Sequence, residues 1–458
     1  MTGPGQLAPA TTEARAQPLN RLDVAFGWRF LALLAGGLAL LPAALGAPRF
    51  LYAMAAWDGL LVVAWAYDAW RLPSPARLTV RRSWRSPTML SMASRVKLTL
   101  VNESPSSLSV AIVDAVPRRL LADPPSVPLR IAAHSEAEAD YTIVPSERGE
   151  TSVGDVYVHY QSPLGLAERW ARAPVSQTVV VYPNLDDARR ESIHVVRGRS
   201  REIERRSRRV QGAGRSFESL REHRDGDELR DICWTASARR GKLVTRVYES
   251  ERSQPIWIVI DSGRLMRARA GALSKLDLAV NAALTLSQVA LESGDRVGLL
   301  AYGRDIAHRL PATRGSAHLR RVIDRLALVR AEEAEADHLE AASRLLTDQK
   351  QRGLIVWMTD VPDVAMTPDV VTAAQTLVSR HLVLFVMIGQ PDLLQLATRR
   401  PTNADQMYET AAAQEVVHRR DVLLARLRAR GALAFEARSR FSPALVNAYL
   451  DIKRRNRL

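Results

Sequence analysis

Two long apolar segments follow one another near the start of the chain. Eighteen uncharged, mostly apolar residues run from Phe30 to Ala47, and a second apolar run from Phe50 to Trp70 is interrupted only by Asp58 and Asp68. A helix of about 20 apolar residues crosses the ~30 Å hydrocarbon core of a bilayer. The pattern therefore predicts a transmembrane helical hairpin over residues 24–72.

Basic residues indicate how this hairpin is oriented. Arg15, Arg21 and Arg29 precede the first apolar segment, five arginines follow the second segment within residues 71–85, and the connecting turn carries only Arg49. Because basic residues collect on the cytoplasmic side, both termini are expected in the cytoplasm, with the chain crossing a bacterial inner membrane twice. A cleaved signal peptide is the alternative for the first segment, but a second apolar run follows it at once.

The segments on either side of the hairpin differ in pattern. Residues 1–23 are rich in Pro, Gly, Thr and Ala and lack apolar periodicity, which predicts a disordered N-terminus. Residues 78–183 contain short runs of alternating apolar and polar residues, such as VKLTLVN and TVVVYP, separated by turn-forming residues. This spacing is typical of an antiparallel β-sandwich.

The C-terminal half has a different period. After a basic connector over residues 184–254, apolar strands such as IWIVID, RVGLLAY and GLIVWMTD alternate with helical patterns over residues 255–458. Ser274 with Asp277 three residues later resembles an N-cap pair at the start of one helix. Such alternation predicts a doubly wound, mostly parallel sheet, so the fold class is α/β and β, multidomain.

Net charge narrows the choice of partner. The formal charge of +15 and a pI of about 10.5 suit an anionic surface, either nucleic acid or a membrane. Arginines flanking the apolar segments explain much of the excess through attraction to lipid headgroups. The basic connector lacks the interleaved aromatic residues on which bases stack, so membrane lipids rather than nucleic acid are expected.

The segment from Phe217 to Arg252 carries closely spaced charges and a Trp-Cys pair immediately before the strand IWIVID. This segment resembles the domain of unknown function 58 family, whose members carry a similar run before a von Willebrand factor A-like domain. The matching residues are Phe217, Leu220, Arg221, Gly226, Asp227, Arg230, Ile232, Trp234, Ser237, Ala238, Arg239, Leu243, Val247 and Glu251. The sandwich region resembles the family at Asn102, Ser104, Asp114, Pro117, Tyr141, Pro145, Arg148, Gly149, Ser162–Leu166 and Val181–Pro183.

The resemblance implies a fold and a partner. It implies a von Willebrand A-like fold for residues 255–458 and association with a MoxR-type AAA+ ATPase in the assembly or maturation of other proteins. Our leading hypothesis is a membrane-anchored, non-enzymatic interaction protein. Residues of the Phe217–Arg252 segment are candidates for contacting that partner. The alternative is that their charges form local ion pairs, with Trp234 and Ile232 as packing anchors. The candidate partner-binding residues are Arg221, Asp227, Arg230, Trp234 and Arg239.

Asp261 and Asp360 each end a predicted strand, where α/β sheets bind ligands. In von Willebrand A domains this edge carries an Asp-x-Ser-x-Ser metal site, but here Gly263 and Leu265 stand at the two serine positions. Asp261 and Asp360 are therefore a degenerate candidate for Mg²⁺, and no other cofactor is expected. The alternative is that both carboxylates accept hydrogen bonds from amides and arginines. Asp337 is expected to cap a helix rather than to add a ligand.

Enzyme signatures are poor. The sequence has no phosphate-binding loop of the G-x-x-x-x-G-K-[ST] type and no zinc-ligand spacing. The single cysteine, Cys233, excludes an intramolecular disulfide, and with His223 it suggests a thiol nucleophile only if the two side chains meet. Two alternatives to an interaction protein stay open, a metal-dependent ligand-binding or adhesion module and a Cys-dependent hydrolase, as does formation of a homo-oligomer.

Overall fold

A computed structural model of the chain forms two compact units, Met1–Tyr182 and Pro183–Leu458. The structure describes residues 9–19, 24–39, 42, 47, 49–184, 216–223, 229, 232–249, 253–360, 367–437 and 441–455.

The first unit contains two main antiparallel sheets. One has the strand order β1-β4-β5-β8, and the other has the order β2-β11-β10-β6-β7, with β3 also paired to β11 and a separate β9-β12 pair. The strands are β1 (Thr12–Arg15), β2 (Gln17–Pro18), β3 (Ala25–Phe26), β4 (Leu78–Trp84), β5 (Ser94–Asn102), β6 (Leu108–Asp114), β7 (Ser126–Ile131), β8 (Ser135–Ile143), β9 (Gly149–Val153), β10 (Val156–Gln161), β11 (Ala167–Ala173) and β12 (Gln177–Val181).

Strands β1 and β2 form within the segment for which disorder was predicted, whereas residues 1–8 and 20–23 lie outside the described residues. Strand β1 pairs with β4 from Thr12 opposite Arg82 to Arg15 opposite Thr79, and Ala16 is buried. β2 then pairs with β11 in the other sheet. The prediction of disorder is wrong for these residues because β4 and β11 satisfy their backbone groups, a stabilisation that local composition does not reveal.

A buried ion pair joins the two main sheets. Arg82 on β4 and Asp114 on β6 are both fully buried, and Arg82 Nε donates to Asp114 Oδ2 at 3.0 Å. Tyr141 on β8 donates to the same carboxylate oxygen at 2.6 Å, and Arg82 Nη1 donates to the carbonyl oxygen of Val175 at 2.9 Å. Asp114 and Tyr141, two residues of the family resemblance, therefore hold the sheets together.

Two helices in the first unit come from the apolar segments, α1 (Trp28–Leu38) and α2 (Arg49–Arg71). Phe30 and Leu34 of α1 pack with Leu61 of α2, and a Cβ added at Gly37 would lie 2.7 Å from the Trp57 ring. The missing side chain at position 37 therefore allows the two helices to approach closely. Among the described residues, α2 is the one helix long and apolar enough to cross a membrane.

The end of α2 is fixed to the second sheet by Asp68. Its carboxylate is buried and accepts hydrogen bonds from Ser162 Oγ and from the amides of Leu166, at 3.0 Å, and Ala167, at 3.3 Å. Arg29 donates to the carbonyl oxygen of Leu164 in the same turn. Both apolar helices therefore form hydrogen bonds with the turn Ser162–Leu166, α1 through Arg29 and α2 through Asp68.

The second unit is built on one six-stranded sheet of order β19-β18-β15-β20-β21-β22, parallel except for the edge strand β19. Its strands and those of two small pairs are β13 (Ser216–Glu222), β14 (Val244–Glu249), β15 (Pro255–Asp261), β16 (Arg269–Ala270), β17 (Leu273–Ser274), β18 (Arg296–Tyr302), β19 (Ile306–Thr313), β20 (Leu354–Thr359), β21 (Leu382–Ile388) and β22 (Leu433–Ala437). The helices are α3 (Trp234–Arg240), α4 (Lys275–Glu292), α5 (Ser316–Leu328), α6 (His338–Asp348), α7 (Thr367–Val378), α8 (Pro391–Thr398), α9 (Ala404–Ala429) and α10 (Phe441–Arg454).

Helices cover both faces of this sheet. Every residue of β15 and β20 is buried, as the continuous apolar runs predict for central parallel strands. α4 and α10 pack on one face, and α6, α7 and α9 pack on the other. The prediction of a mixed α/β, multidomain chain is confirmed.

Candidate functional site

The candidate site lies at the carboxyl edge of the six-stranded sheet. β15 and β20 are adjacent parallel strands, so Asp261 at the end of one and Asp360 after the other meet at this edge. Three loops converge there, because Arg264 N donates to the Ala334 carbonyl oxygen and Asp337 N donates to that of Gly303. We call this edge the crest.

Asp261 is held by two short hydrogen bonds. Thr359 Oγ1 donates to its Oδ2 at 2.5 Å, and the Gly263 amide donates to its Oδ1 at 2.7 Å. Burial raises the pKa of the Asp261 carboxyl to about 6, although both hydrogen bonds oppose the increase. Gly263 is required because a Cβ there would lie 2.9 Å from the Ala336 amide.

Asp360 is surrounded by cations that the sequence did not single out. Lys275, the first residue of α4, forms an ion pair with Oδ2 of Asp360, and both side chains are almost fully buried. Arg420 of α9 donates from Nη2 to both Asp360 oxygens, at 3.0 and 3.1 Å, and from Nη1 to Glu436 at 3.2 Å. Burial lowers the pKa of the Lys275 ammonium group, and Asp360 partly offsets this effect.

These residues do not fit a magnesium site. Mg²⁺ requires about six oxygen ligands in octahedral geometry. Two buried cations already occupy the Asp360 carboxylate, and Gly263 has no side-chain oxygen to offer. Ser262 Oγ is buried without a hydrogen-bond partner among the described residues, but it stands where the adhesion sequence has no ligand. Asp337 caps α6 by accepting from the Glu340 amide.

A buried aromatic network lies beside the crest. Trp357 Nε1 donates to the Tyr302 hydroxyl at 2.6 Å, and this hydroxyl forms a hydrogen bond with His338 Nδ1 at 2.8 Å. Burial lowers the pKa of the His338 imidazole to about 4, so the ring is neutral at pH 7. A neutral imidazole at the start of α6 adds no charge to the crest.

The candidate partner-binding residues are only partly described. Arg221 lies on β13, Trp234 and Arg239 lie on α3, and Asp227 and Arg230 lie outside the described residues. The Trp234 side chain is 66% exposed, whereas Ile232 is 5% exposed. Ile232 therefore packs inside, and Trp234 is not the packing anchor that one reading of the sequence expected.

Cys233 and His223 have separate contacts. The Cys233 side chain is buried, with its Sγ 3.7 Å from Thr235 Oγ1. His223 Nδ1 is 2.9 Å from Thr245 Oγ1 on β14. Neither contact is the thiol–imidazole pair that a cysteine nucleophile requires.

Residues 219–405 match the family model described as protein of unknown function DUF58. The predicted resemblance is therefore confirmed over this segment. This segment includes α3, which begins at Trp234, and all elements from β15 to α8. Asp261, Lys275 and Asp360 therefore lie within the match. Arg420 and Glu436 lie beyond the match.

Two relatives are similar to this chain over less than half of its length. The uncharacterized protein Rv1480 of Mycobacterium tuberculosis is 25% identical over 191 residues, 41% of this chain and 59% of that protein. The uncharacterized protein YeaD of Bacillus subtilis is 26% identical over 197 residues, 43% of this chain and 46% of YeaD. This chain thus spans about half the length of these relatives.

Two solved structures align at lower similarity. The conserved hypothetical protein BatB from Bacteroides thetaiotaomicron has a TM-score of 0.28 and 14% identity, covering 44% of this chain and 100% of that one. Proximal thread matrix protein 1 from the mussel byssus has a TM-score of 0.26 and 11% identity, covering 44% and 45% of the two chains.

Replacing Asp261 with Asn tests the state of the buried carboxyl. A raised pKa means that the folded chain holds this proton more tightly than the unfolded chain, so the carboxyl destabilises the fold as the pH rises from about 4 to about 6. We expect the free energy of unfolding of Asp261→Asn, relative to the wild type, to increase across this window by up to about 3 kcal/mol. Urea denaturation at several pH values measures the difference.

The control is Leu339→Ala, which removes an exposed side chain from α6 and no ionisable group. Its difference from the wild type should not change with pH. A pH-independent difference for Asp261→Asn would contradict the assignment of a proton-binding carboxyl at the crest.

Proposed function

We propose that this chain is a membrane-anchored, non-enzymatic interaction protein whose von Willebrand A-like domain works with a MoxR-type AAA+ ATPase in the assembly or maturation of other proteins. The observation that carries the anchoring is the pairing of both ends of the apolar region with one β-domain. β1 and β2 precede α1, β4 follows α2, and β1 pairs directly with β4.

This pairing supports an even number of membrane crossings. A chain that leaves β2 and returns to β4 of the same domain ends on the side from which it started. α2 has 23 residues and is therefore ~34 Å long, enough for one crossing. The first apolar segment, which includes α1, supplies the other crossing in this proposal.

The exposed side chains of α2 support a lipid environment. Leu60, Val62 and Val63 are 64%, 52% and 66% exposed, unlike the side chains of a core helix. A continuous exposed apolar surface of this kind marks contact with a membrane or another protein. Asp58 lies on the side of α2 that faces Gly37 of α1, so its carboxylate lies between the two helices. This position favours a role between the helices over an ion pathway.

Basic residues support the orientation. Arg15 on β1 and Arg81 on β4 lie in paired strands, so the basic groups before and after the helices are on one side. By the positive-inside rule that side is the cytoplasm. Residues after Tyr182 then lie in the cytoplasm too, within reach of a soluble ATPase.

The topology of the second unit supports a von Willebrand A-like domain. Five parallel strands with one antiparallel edge strand, covered by helices on both faces, leave the carboxyl edge open to ligands. At this edge, the Arg264–Glu335 and Arg267–Glu333 ion pairs are exposed, and the buried Asp360 carboxylate is paired with Lys275 and Arg420. Such a surface suits protein docking. The ATPase as partner follows from the family resemblance.

Exposed apolar residues near α3 support a docking role for the family segment. Trp234, Leu229 and Leu243 are 66%, 73% and 47% exposed. Trp is the residue type most enriched among the dominant contacts of protein interfaces. Arg239 in the last turn of α3 adds a positive charge beside them.

Charging the exposed face of α2 tests the anchor. Leu60→Arg combined with Val63→Arg adds two guanidinium groups, each costing about 3 kcal/mol at the centre of a membrane helix. We expect the chain to leave the membrane pellet after an alkaline wash, while the wild type remains. Leu339→Arg, at a leucine of α6 that is 43% exposed, is the control and should stay in the pellet. A wild-type chain released by the wash would contradict the anchor.

Truncating Trp234 tests the docking surface separately. Trp234→Ala should reduce the AAA+ ATPase recovered with the detergent-solubilised chain about tenfold or more, because a dominant interface residue contributes ~2 kcal/mol. Tyr408→Ala removes another exposed aromatic side chain from the same unit and should not change recovery. If no AAA+ ATPase is enriched with the wild type over a hairpin-only protein, the partnership is wrong.

A further inference from the structure

The position of Lys275 is unusual for a lysine. It is the first residue of α4, directly after the N-cap Ser274, and it is 2% exposed. Positive charge is unfavourable at a helix N-terminus, where the backbone amides already present partial positive charge. Burying an ammonium group is also costly unless it is paired. Helix α4 therefore does not stabilise a buried ammonium group at this position, whereas the ion pair with the Asp360 carboxylate does.

The charges around Asp360 balance without any added ion. Asp360 and Glu436 carry two negative charges, and Lys275 and Arg420 carry two positive charges in direct contact with them. Arginine stays protonated in proteins, so one cation at least is permanent. A divalent ion added here would leave two buried positive charges without partners, which is strongly unfavourable.

The carboxylate oxygens of Asp261 and Asp360 also already accept hydrogen bonds. The two oxygens of Asp261 accept from Gly263 and Thr359, and the two oxygens of Asp360 accept from Lys275 and Arg420. A metal ion at this position would have to displace the ammonium group of Lys275.

We propose that Lys275 takes the place of a divalent cation at Asp360, so that the crest is complete without metal and recognises its ligands independently of Mg²⁺. The Lys275 ammonium group supplies one of the two positive charges that orient Asp360, and the Arg420 guanidinium group supplies the other. This inference depends on neither the membrane anchor nor the ATPase partner.

The same site should become a metal site once the lysine is removed. Lys275→Ala leaves room for a cation with its water ligands beside two carboxylates and the Thr359 hydroxyl. Mn²⁺ serves as the probe because it takes the oxygen ligands of Mg²⁺ and is detected by electron paramagnetic resonance. In the full-length chain in detergent, we expect Lys275→Ala to bind Mn²⁺ at least about tenfold more tightly than the wild type, with a thermal midpoint that Mn²⁺ raises.

The matched control is Lys453→Ala. Lys453 pairs with Asp295 at 2.7 Å, and this carboxylate is buried in the same unit but away from the crest. Its removal should lower the thermal midpoint without creating a response to Mn²⁺. Adding Asp261→Asn to Lys275→Ala should abolish the gained binding.

Two results would overturn the proposal. One is a folded Lys275→Ala chain whose Mn²⁺ affinity equals that of the wild type. The other is Mn²⁺ binding by the wild type that Asp360→Asn abolishes, and this measurement decides the question even if Lys275→Ala fails to fold.

Discussion

The structure of the first unit depends on the pairing of its N-terminal strands, β1 and β2, with β4 and β11, which follow the apolar helices in the chain. β1 and β2 pair with strands that follow the apolar helices, so the start and end of the apolar region are fixed to one β-domain. Asp68 adds a second attachment by accepting three hydrogen bonds from the turn Ser162–Ala167. Because a buried carboxylate left without these donors is costly, the end of α2 cannot move freely relative to the sheets.

Sequence patterns predicted what depends on local periodicity. The continuous apolar runs of β15 and β20 and the N-cap at Ser274 are found where expected. Patterns missed what depends on distant partners, such as the pairing of β1 with β4 and the inter-sheet contact of Arg82 with Asp114. A polar N-terminus carries no apolar period that would reveal an added strand.

The crest shows the same limit of sequence reasoning. Asp261 and Asp360 were found because each ends an apolar strand, but Lys275 and Arg420 lie in helices where charged residues are usually solvated. The one available signal was a lysine at a helix start, between Leu273 and Leu276, where negative charge is preferred. Because Asp360 is already paired with Lys275 and Arg420, the crest favours docking over metal-dependent adhesion in our proposal.

Side-specific cysteine labelling tests the two-crossing anchor most directly. In a Cys233→Ser background, single cysteines replace Arg15, Arg49 and Lys350 in turn, and intact cells are treated with a membrane-impermeant maleimide. The account predicts labelling at position 49 in intact cells and at positions 15 and 350 only after permeabilisation. Labelling of positions 15 and 350 from opposite sides, or of 15 and 49 from the same side, would contradict it.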